Sequence, residues 1–362
     1  MIALSIIFSN SFMIALFVVM ILFLMGLIVI AVSGRKDKDY TKTVNLKTLV
    51  IVPCRGMDYS LEDNLLRLLK QDYGNFKIIA VVDSSNDPAV KYLKGTGMDY
   101  IISDFDCKNC SGKVKAISSA VKRFQDFDVY VIADSDITVE ETWLSRLMSP
   151  FAQEDVGIST TFPYFLPVGG FWSKVKLVWG FVGLGMMESK LTRFGWGGSL
   201  AFRKSIVSGE NFKFFSEFVS DDIALTKLCK KEGKSIAYVA GSRPIINSPD
   251  NFRTFIEWSN RQTSLSVYAT RNVLYYGILI YSATLAIFIL SILLSVLLNP
   301  IFLIFQIPTV INAAKAMKRS GRNYFITFLV SIFLPFLYMY NLLHALKAKS
   351  ISWRGREYSL YK

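Results

Sequence analysis

Residues 11–34 contain no charged side chain. At 1.5 Å of rise per residue, a helix of that length crosses the roughly 30 Å of hydrocarbon in a bilayer. No small-residue cleavage pattern follows it, so it is read as an uncleaved anchor. Its C-terminal flank, Arg35-Lys36-Asp37-Lys38, is basic, and the positive-inside bias then assigns residues 35 onward to the cytoplasmic side. Further apolar blocks cover 273–298, 301–314 and 324–346, the middle one short and interrupted by Pro308. A basic stretch over 315–322 separates the last two, and the tail is basic as well (Lys347, Lys349, Arg354, Arg356). Both cannot be cytoplasmic if 324–346 crosses once, so the topology of the C-terminal region stays open; kinked or re-entrant helices would reconcile it.

Hydrophobic residues make up 52% of the chain and mean hydropathy is +0.37, both in keeping with membrane segments. A net charge of +13 would suggest nucleic acid in a soluble protein. Here the basic residues flank apolar segments, where they face anionic headgroups. There is no basic motif interleaved with aromatics, and no nucleic-acid partner is expected. Cys107-Lys108-Asn109-Cys110 is a single C-x-x-C, a weak sign of zinc without a second pair or nearby histidines. In a cytoplasmic domain Cys54, Cys107, Cys110 and Cys229 are expected to stay reduced and unpaired.

Between the membrane segments the chain alternates strand and helix signals. Strands are predicted over 47–53, 76–82, 100–102 and 129–133; helices over 60–71, 88–94 and 113–124. The strand runs are continuously apolar, as in buried parallel sheets. The rhythm predicts an α/β domain with a mainly parallel sheet. Neither G-x-G-x-x-G nor G-x-x-x-x-G-K-[ST] is present.

The predicted strand Val129-Tyr130-Val131-Ile132 runs into Ala133-Asp134-Ser135-Asp136. Open α/β sheets bind ligands beyond the C-terminal ends of their strands. Two carboxylates one residue apart at that point can share a hard cation, Mg²⁺ or Mn²⁺, which would bridge nucleotide phosphates. Asp83 ends the preceding long strand, and Asp221-Asp222 opens an apparent helix. Carboxylates at a helix start are often caps. Taken together, these acidic positions describe a site for a nucleotide, a cation and a base.

The chain resembles the inverting glycosyltransferases of family 2 and of its relative family 21, which includes ceramide glucosyltransferase. The resemblance rests on Leu61-Glu62-Asp63-Asn64-Leu65, Val82-Asp83-Ser84-Ser85-Asn86-Asp87, the glycine-rich 195–204 and Ile351-Ser352-Trp353-Arg354-Gly355-Arg356. It implies a GT-A type nucleotide-sugar-binding domain with N- and C-terminal transmembrane helices. By position it implies that Asp83 contacts the nucleoside, that Asp134 and Asp136 organise the diphosphate and its divalent cation, and that Asp136 is the more direct ligand. Lys113 falls near the donor phosphates. Asp222 falls at the general base, with Asp221 where the family has Glu. The family's (Q/R)-x-x-R-W appears here as Thr254-Phe255-Ile256-Glu257-Trp258, without its basic positions. The donor-side duty is then expected of Arg261 and Gln262 beside Trp258. The alternative is an interfacial helix anchored by Trp258.

The domain plan that follows is an anchor and linker over 1–45, a catalytic domain over 46–270 and a membrane region with a basic tail over 271–362. Residues 162–187, rich in Phe and Trp and punctuated by Lys174 and Lys176, are expected to form an amphipathic interfacial segment; domain core is the other reading. The expected activity is transfer of a sugar from a nucleotide-sugar, a UDP-sugar in the leading reading, to a lipid acceptor at the membrane. Polyprenyl-phosphate sugar transfer, processive polysaccharide synthesis and a non-catalytic nucleotide-binding module are the alternatives.

Overall fold

A computed structural model describes residues 10–32, 40–321 and 324–360. The basic flank 35–38 and Arg322 lie outside the described residues. Described residues group into two compact units. One joins the N-terminal helix Asn10–Val32 with Lys174–Phe181 and Phe252–Ala348; the other joins Lys36–Ser173, Val182–Asn251 and Lys349–Lys362. This grouping cuts across the boundaries expected at residues 45 and 270. The C-terminal tail belongs to the α/β unit, while the helix Phe252–Ala269 belongs to the helical one.

The α/β unit is built on β1 (Thr48–Cys54), β2 (Phe76–Val82), β3 (Tyr100–Ile102), β4 (Val129–Ala133), β6 (Val156–Thr160), β8 (Ser199–Arg203) and β9 (Ser235–Tyr238). Their order across the sheet is β3-β2-β1-β4-β8-β6-β9. β1 pairs in parallel with β2 (Thr48↔Phe76) and with β4 (Thr48↔Val129). β8 runs antiparallel to both β4 and β6. Every residue of β4 and of β6 is buried; β4 reads as an unbroken apolar run for that reason, whereas β6, with Gly157, Ser159 and Thr160, does not. Leu49, Ile51, Ile117, Ile132, Phe202 and Leu225 meet in one core. Phe202 is fully buried there, and its truncation to Ala would cost about 3–5 kcal/mol.

The order places a topological switch between β1 and β4. From β1 the chain steps outward through β2 and β3, then returns to pair with the other edge of β1. The loops leaving β1 and β4 therefore diverge and leave a crevice, the position where open α/β sheets take ligands. A smaller sheet, β5-β10-β7, combines β5 (Ile137–Thr138), β7 (Tyr164–Pro167) and β10 (Ile245–Ser248). The tail folds as the hairpin β11 (Ser350–Trp353) and β12 (Arg356–Ser359).

Most of the aromatic stretch 162–187 is core. Phe162, Phe165, Trp179 and Phe181 are buried, whereas Phe171 is half-exposed. The expectation of four unpaired thiols is corrected: Cys107 and Cys110 are joined by a disulfide. The turn between them brings their Cα atoms to 5.8 Å, within a disulfide's span. Cys54 and Cys229 are free and buried.

Among the described residues of the helical unit, three segments are long and apolar enough to cross a membrane: Asn272–Leu297 (mean hydropathy 2.4), Pro300–Arg319 (1.3) and Phe325–Lys347 (1.8). The middle one is a 3-10 helix, Pro300–Gln306, that passes into an α-helix at Ile307, beside Pro308. Pro308 sits in the first turn of that helix, Ile307–Arg319, where a missing N–H costs nothing. Asn341 is buried, accepts from Trp179 Nε1 at 3.0 Å and donates to Asn260 Oδ1 at 2.8 Å, so its amide is satisfied within the unit.

Candidate active site

The loop after β1 carries Arg55 and Asp58; the loop after β4 carries Asp134, Ser135 and Asp136. Ser135 Oγ donates to Asp58 Oδ2 at 2.5 Å, so the two loops meet across the switch point. Asn64, buried on the helix Leu61–Leu69, fixes the D-x-D turn from beneath: its amide donates to Ser135 O at 3.1 Å and its carbonyl accepts from Thr138 Oγ1 at 2.6 Å. Asp134 N donates to Gly198 O at 3.1 Å, which ties the turn to the start of β8.

Lys113 is near the start of the helix Gly112–Arg123, which Ser111 caps by accepting from Val114 N at 3.2 Å. Its ammonium lies 2.6 Å from Asp134 Oδ1 and 3.3 Å from Asp221 Oδ2, and donates to Gly197 O at 3.1 Å. Burial disfavours charge on Lys113, but Asp134 and Asp221 outweigh it and its pKa rises. Burial also raises Asp134 and Asp221, with Lys113 pulling each back. Asp221 Oδ2 is buried and makes no hydrogen bond, so the 3.3 Å approach is an ion pair only. Gly197 is required here, because a Cβ would lie 2.4 Å from Asp221 Oδ2 and 3.2 Å from Lys113 Nζ.

Asp222 is half-buried beside this ion pair. Its Oδ1 accepts from Ile223 N at 2.7 Å and from Ser220 Oγ. Asp83, at the end of β2, is contacted by Arg356 at 3.1 Å and by Arg55 at 3.5 Å. Arg354 donates to Asp58 Oδ1 at 2.7 Å and to Arg55 O at 2.6 Å. The contacts run unbroken from Asp83 through the hairpin to Asp58, Ser135, Asp134, Lys113, Asp221 and Asp222. Asp83, Lys113, Asp134, Asp136, Asp221 and Asp222 are thus gathered in one unit. Trp258, Arg261 and Gln262 belong to the helix of the other unit, where Trp258 packs 4.8 Å from Trp179 and under Lys176.

Sequence reasoning gave no site role to Arg55 or Asp58, nor to Asn64, Arg354 and Arg356, although the last three lie in segments that carry the family resemblance. Asp58 carries a usable signal, since it closes the first loop after β1, the position equivalent to the D-x-D after β4. Arg354 and Arg356 carried the family resemblance but no role, because a basic tail next to an apolar helix looks like a headgroup contact.

Asp136 Oδ1 is buried and has no hydrogen-bond partner among the described residues. Burial first, then Asp134 and Asp58, push the Asp136 carboxyl up to about 7. An acidic group pressed by like charges with an unmet lone pair fits a divalent cation. Among the described residues no group of three or more Asp, Glu, His or Cys side chains forms a closed cage. That also fits Mg²⁺, which takes one or two carboxylates and leaves the remaining positions to water and substrate phosphates.

A sequence model of Glycosyl transferase family 21 matches residues 12–362. No curated protein sequence matches the chain. Among solved structures, the chain is similar to the mannosyltransferase PcManGT from Pyrobaculum calidifontis in complex with GDP-Man and Mn²⁺. The TM-score is 0.53 at 14% identity, covering 92% of this chain and 94% of that one. A glucosyl-3-phosphoglycerate synthase from Mycobacterium tuberculosis, with Mn²⁺, UDP-glucose and phosphoglyceric acid, aligns with TM-score 0.43 at 13% identity, over 62% of this chain and 79% of that one. At such identities the likeness to the mannosyltransferase shows the fold alone, an α/β fold of the GT-A kind.

Proposed function

This chain belongs to glycosyl transferase family 21, and we propose that it transfers a sugar, with inversion, from a nucleotide-sugar to a lipid acceptor, as a glucosylceramide-synthase-like enzyme. The observation that supports the proposal is the run of contacts from Asp83 through the tail arginines to Asp58 and Ser135, and from Asp134 through Lys113 to Asp221 beside Asp222, with Asp136 Oδ1 buried and without a hydrogen-bond partner among the described residues. Asp83 takes the nucleoside. Asp136, with Asp134 beside it, holds a divalent cation, which when bound supplies positive charge to the donor's diphosphate. Lys113 stays charged in the same pocket and keeps Asp134 in place.

Inversion needs a base on the far side of the sugar, within about 3 Å of the acceptor hydroxyl. Asp221 is committed to Lys113, so the duty falls to Asp222. Its Oδ1 is fixed by Ser220 Oγ and Ile223 N, which sets the carboxylate's orientation and leaves Oδ2 to receive the proton. A lipid acceptor is supported by three apolar helices of spanning length, since a soluble acceptor needs none. The basic flank of the N-terminal segment supports placing the catalytic unit on the cytoplasmic side.

The test is turnover of a nucleotide-sugar panel, UDP- and GDP-sugars included, by purified protein with Mn²⁺ and extracted lipids. Product would be identified by mass spectrometry and its anomeric configuration by NMR. A β-linked glycolipid from an α-linked donor is expected, lost in Asp136→Asn and Asp222→Asn. Unchanged turnover in both variants overturns the reading.

A further inference from the structure

The tail's two arginines are stationed at the acidic crevice by an unusual piece of backbone. Arg354 and Gly355 form the two-residue turn between β11 and β12, with φ of 47° and 74°. Left-handed backbone at both central positions is the pattern of a type I′ hairpin turn, where Asn-Gly is preferred. An arginine in the first position costs about 1 kcal/mol relative to a residue that tolerates it. Its guanidinium is nonetheless aimed at the loop after β1, onto Asp58 Oδ1 at 2.7 Å and Arg55 O at 2.6 Å. Through Asp58 it reaches Ser135, the residue between the two D-x-D aspartates.

Arg356 follows on the other side of the turn. It lies 3.1 Å from Asp83, and its other terminal nitrogen passes close over Gly112, 2.9 Å from where a Cβ would stand. Tyr358 OH accepts from Gly112 N at 3.2 Å and anchors the strand to the helix that carries Lys113. The hairpin is thereby tied to the ends of β1 and β2 and to the helix after β3.

Stability does not account for this. The side chains of Arg354 and Arg356 are 36% and 44% exposed, and ion pairs that open to water contribute about 0–1 kcal/mol. A strained turn that places guanidinium forks over a metal-binding acidic turn matches a different demand. Guanidinium presents planar N–H donors that suit phosphate oxygens.

We propose that the C-terminal hairpin is part of the donor site, Arg354 binding the nucleotide diphosphate and Arg356 positioning Asp83 for the nucleoside. This rests on the glycosyltransferase reading above. The two guanidiniums rest on Asp58 and Asp83; with a donor bound, the N–H groups of Arg354 not used by Asp58 and Arg55 O take phosphate oxygens.

The experiment is calorimetric titration of the full-length purified chain with UDP and GDP in Mn²⁺, and with uridine and guanosine as nucleosides lacking phosphate. Arg354→Asn keeps a favourable I′ turn and removes only the guanidinium. It is expected to weaken binding of the preferred diphosphate at least about tenfold, ~1.4 kcal/mol, and nucleoside binding less than about twofold. Arg354→Lys should recover part of the loss, Arg356→Gln should weaken nucleoside and diphosphate alike, and Ser352→Ala on the same hairpin should change neither. Melting temperatures of the variants close to that of the parent confirm that the hairpin is intact; if Arg354→Asn fails to fold, Arg354→Lys and Arg356→Gln carry the test. Diphosphate affinity unchanged in the Arg354 and Arg356 variants overturns the hairpin proposal alone. An unmodified protein that binds no nucleotide and turns over no nucleotide-sugar overturns the functional reading beneath it as well.

Discussion

Lys113 Nζ stands 2.6 Å from Asp134 Oδ1, and that ion pair joins the helix after β3 to the turn after β4. The lysine also faces Asp221, so one buried cation compensates carboxylates from two distant parts of the chain.

Lys113→Met is therefore expected to leave Asp134 and Asp221 buried without a counter-charge, and to cost about 3–5 kcal/mol. A drop in melting temperature at pH 8 is the measurement. Adding Asp221→Asn to Lys113→Met should restore part of it, because one uncompensated charge is then gone.

Asp136 makes the stability of the nucleotide-free protein depend on pH. Its folded carboxyl binds a proton up to about pH 7, while an unfolded aspartate releases it near 3.8. Between those values the folded chain holds more protons, so stability falls as pH rises through the window and levels off above it. With water access discounted, the loss is about 1–3 kcal/mol. In EDTA the melting temperature should fall from pH 5 to pH 8. Asp136→Asn should flatten that slope while abolishing turnover, and Mn²⁺ should stabilise the parent more at pH 8 than at pH 5.

Gly197→Ala forces a methyl against Asp221 Oδ2 and Lys113 Nζ. Turnover is expected to fall at least about tenfold, a barrier increase of ~1.4 kcal/mol, with a lowered melting temperature. Gly241→Ala, where a Cβ meets open space, is the control and should leave both unchanged.

The adjacent aspartates should separate in kinetics. Asp222→Asn is expected to remove turnover, by about a hundredfold or more, while leaving diphosphate binding and melting temperature near those of the parent. Asp221→Asn should instead disturb Lys113 and lower the melting temperature. The reverse pattern would move the base to Asp221.

Asn64 holds the D-x-D turn with both ends of its amide. Asn64→Leu is close in size but leaves Ser135 O and Thr138 Oγ1 unpaired, at about 1–3 kcal/mol each. Metal affinity measured with Mn²⁺ should drop more than nucleoside affinity, since the turn and not the end of β2 loses its support.

The elements of the sheet were legible because each strand's burial is written in its own residues. β2, β3 and β4 begin and end where the continuous apolar runs 76–82, 100–102 and 129–133 do. Asp134 and Asp136 were legible for the same reason, since a carboxylate directly after a buried run has no place to be but the sheet's end. The disulfide at Cys107–Cys110 and the tolerance of Pro308 were not, because each depends on where the backbone turns and not on residue type.

What the sequence determined by itself was therefore local: apolar stretches of spanning length, buried strands, and acidic residues at their ends. Tertiary structure alone decided that β1 lies between β2 and β4, which brings Asp58 against Ser135. It alone folded a tail hundreds of residues downstream onto Asp58 and Asp83. Local periodicity reports which face of an element is dry. It holds no information on which distant carboxylate will share a given guanidinium, because that contact forms only after the sheet order and the register of β11 with β12 are fixed.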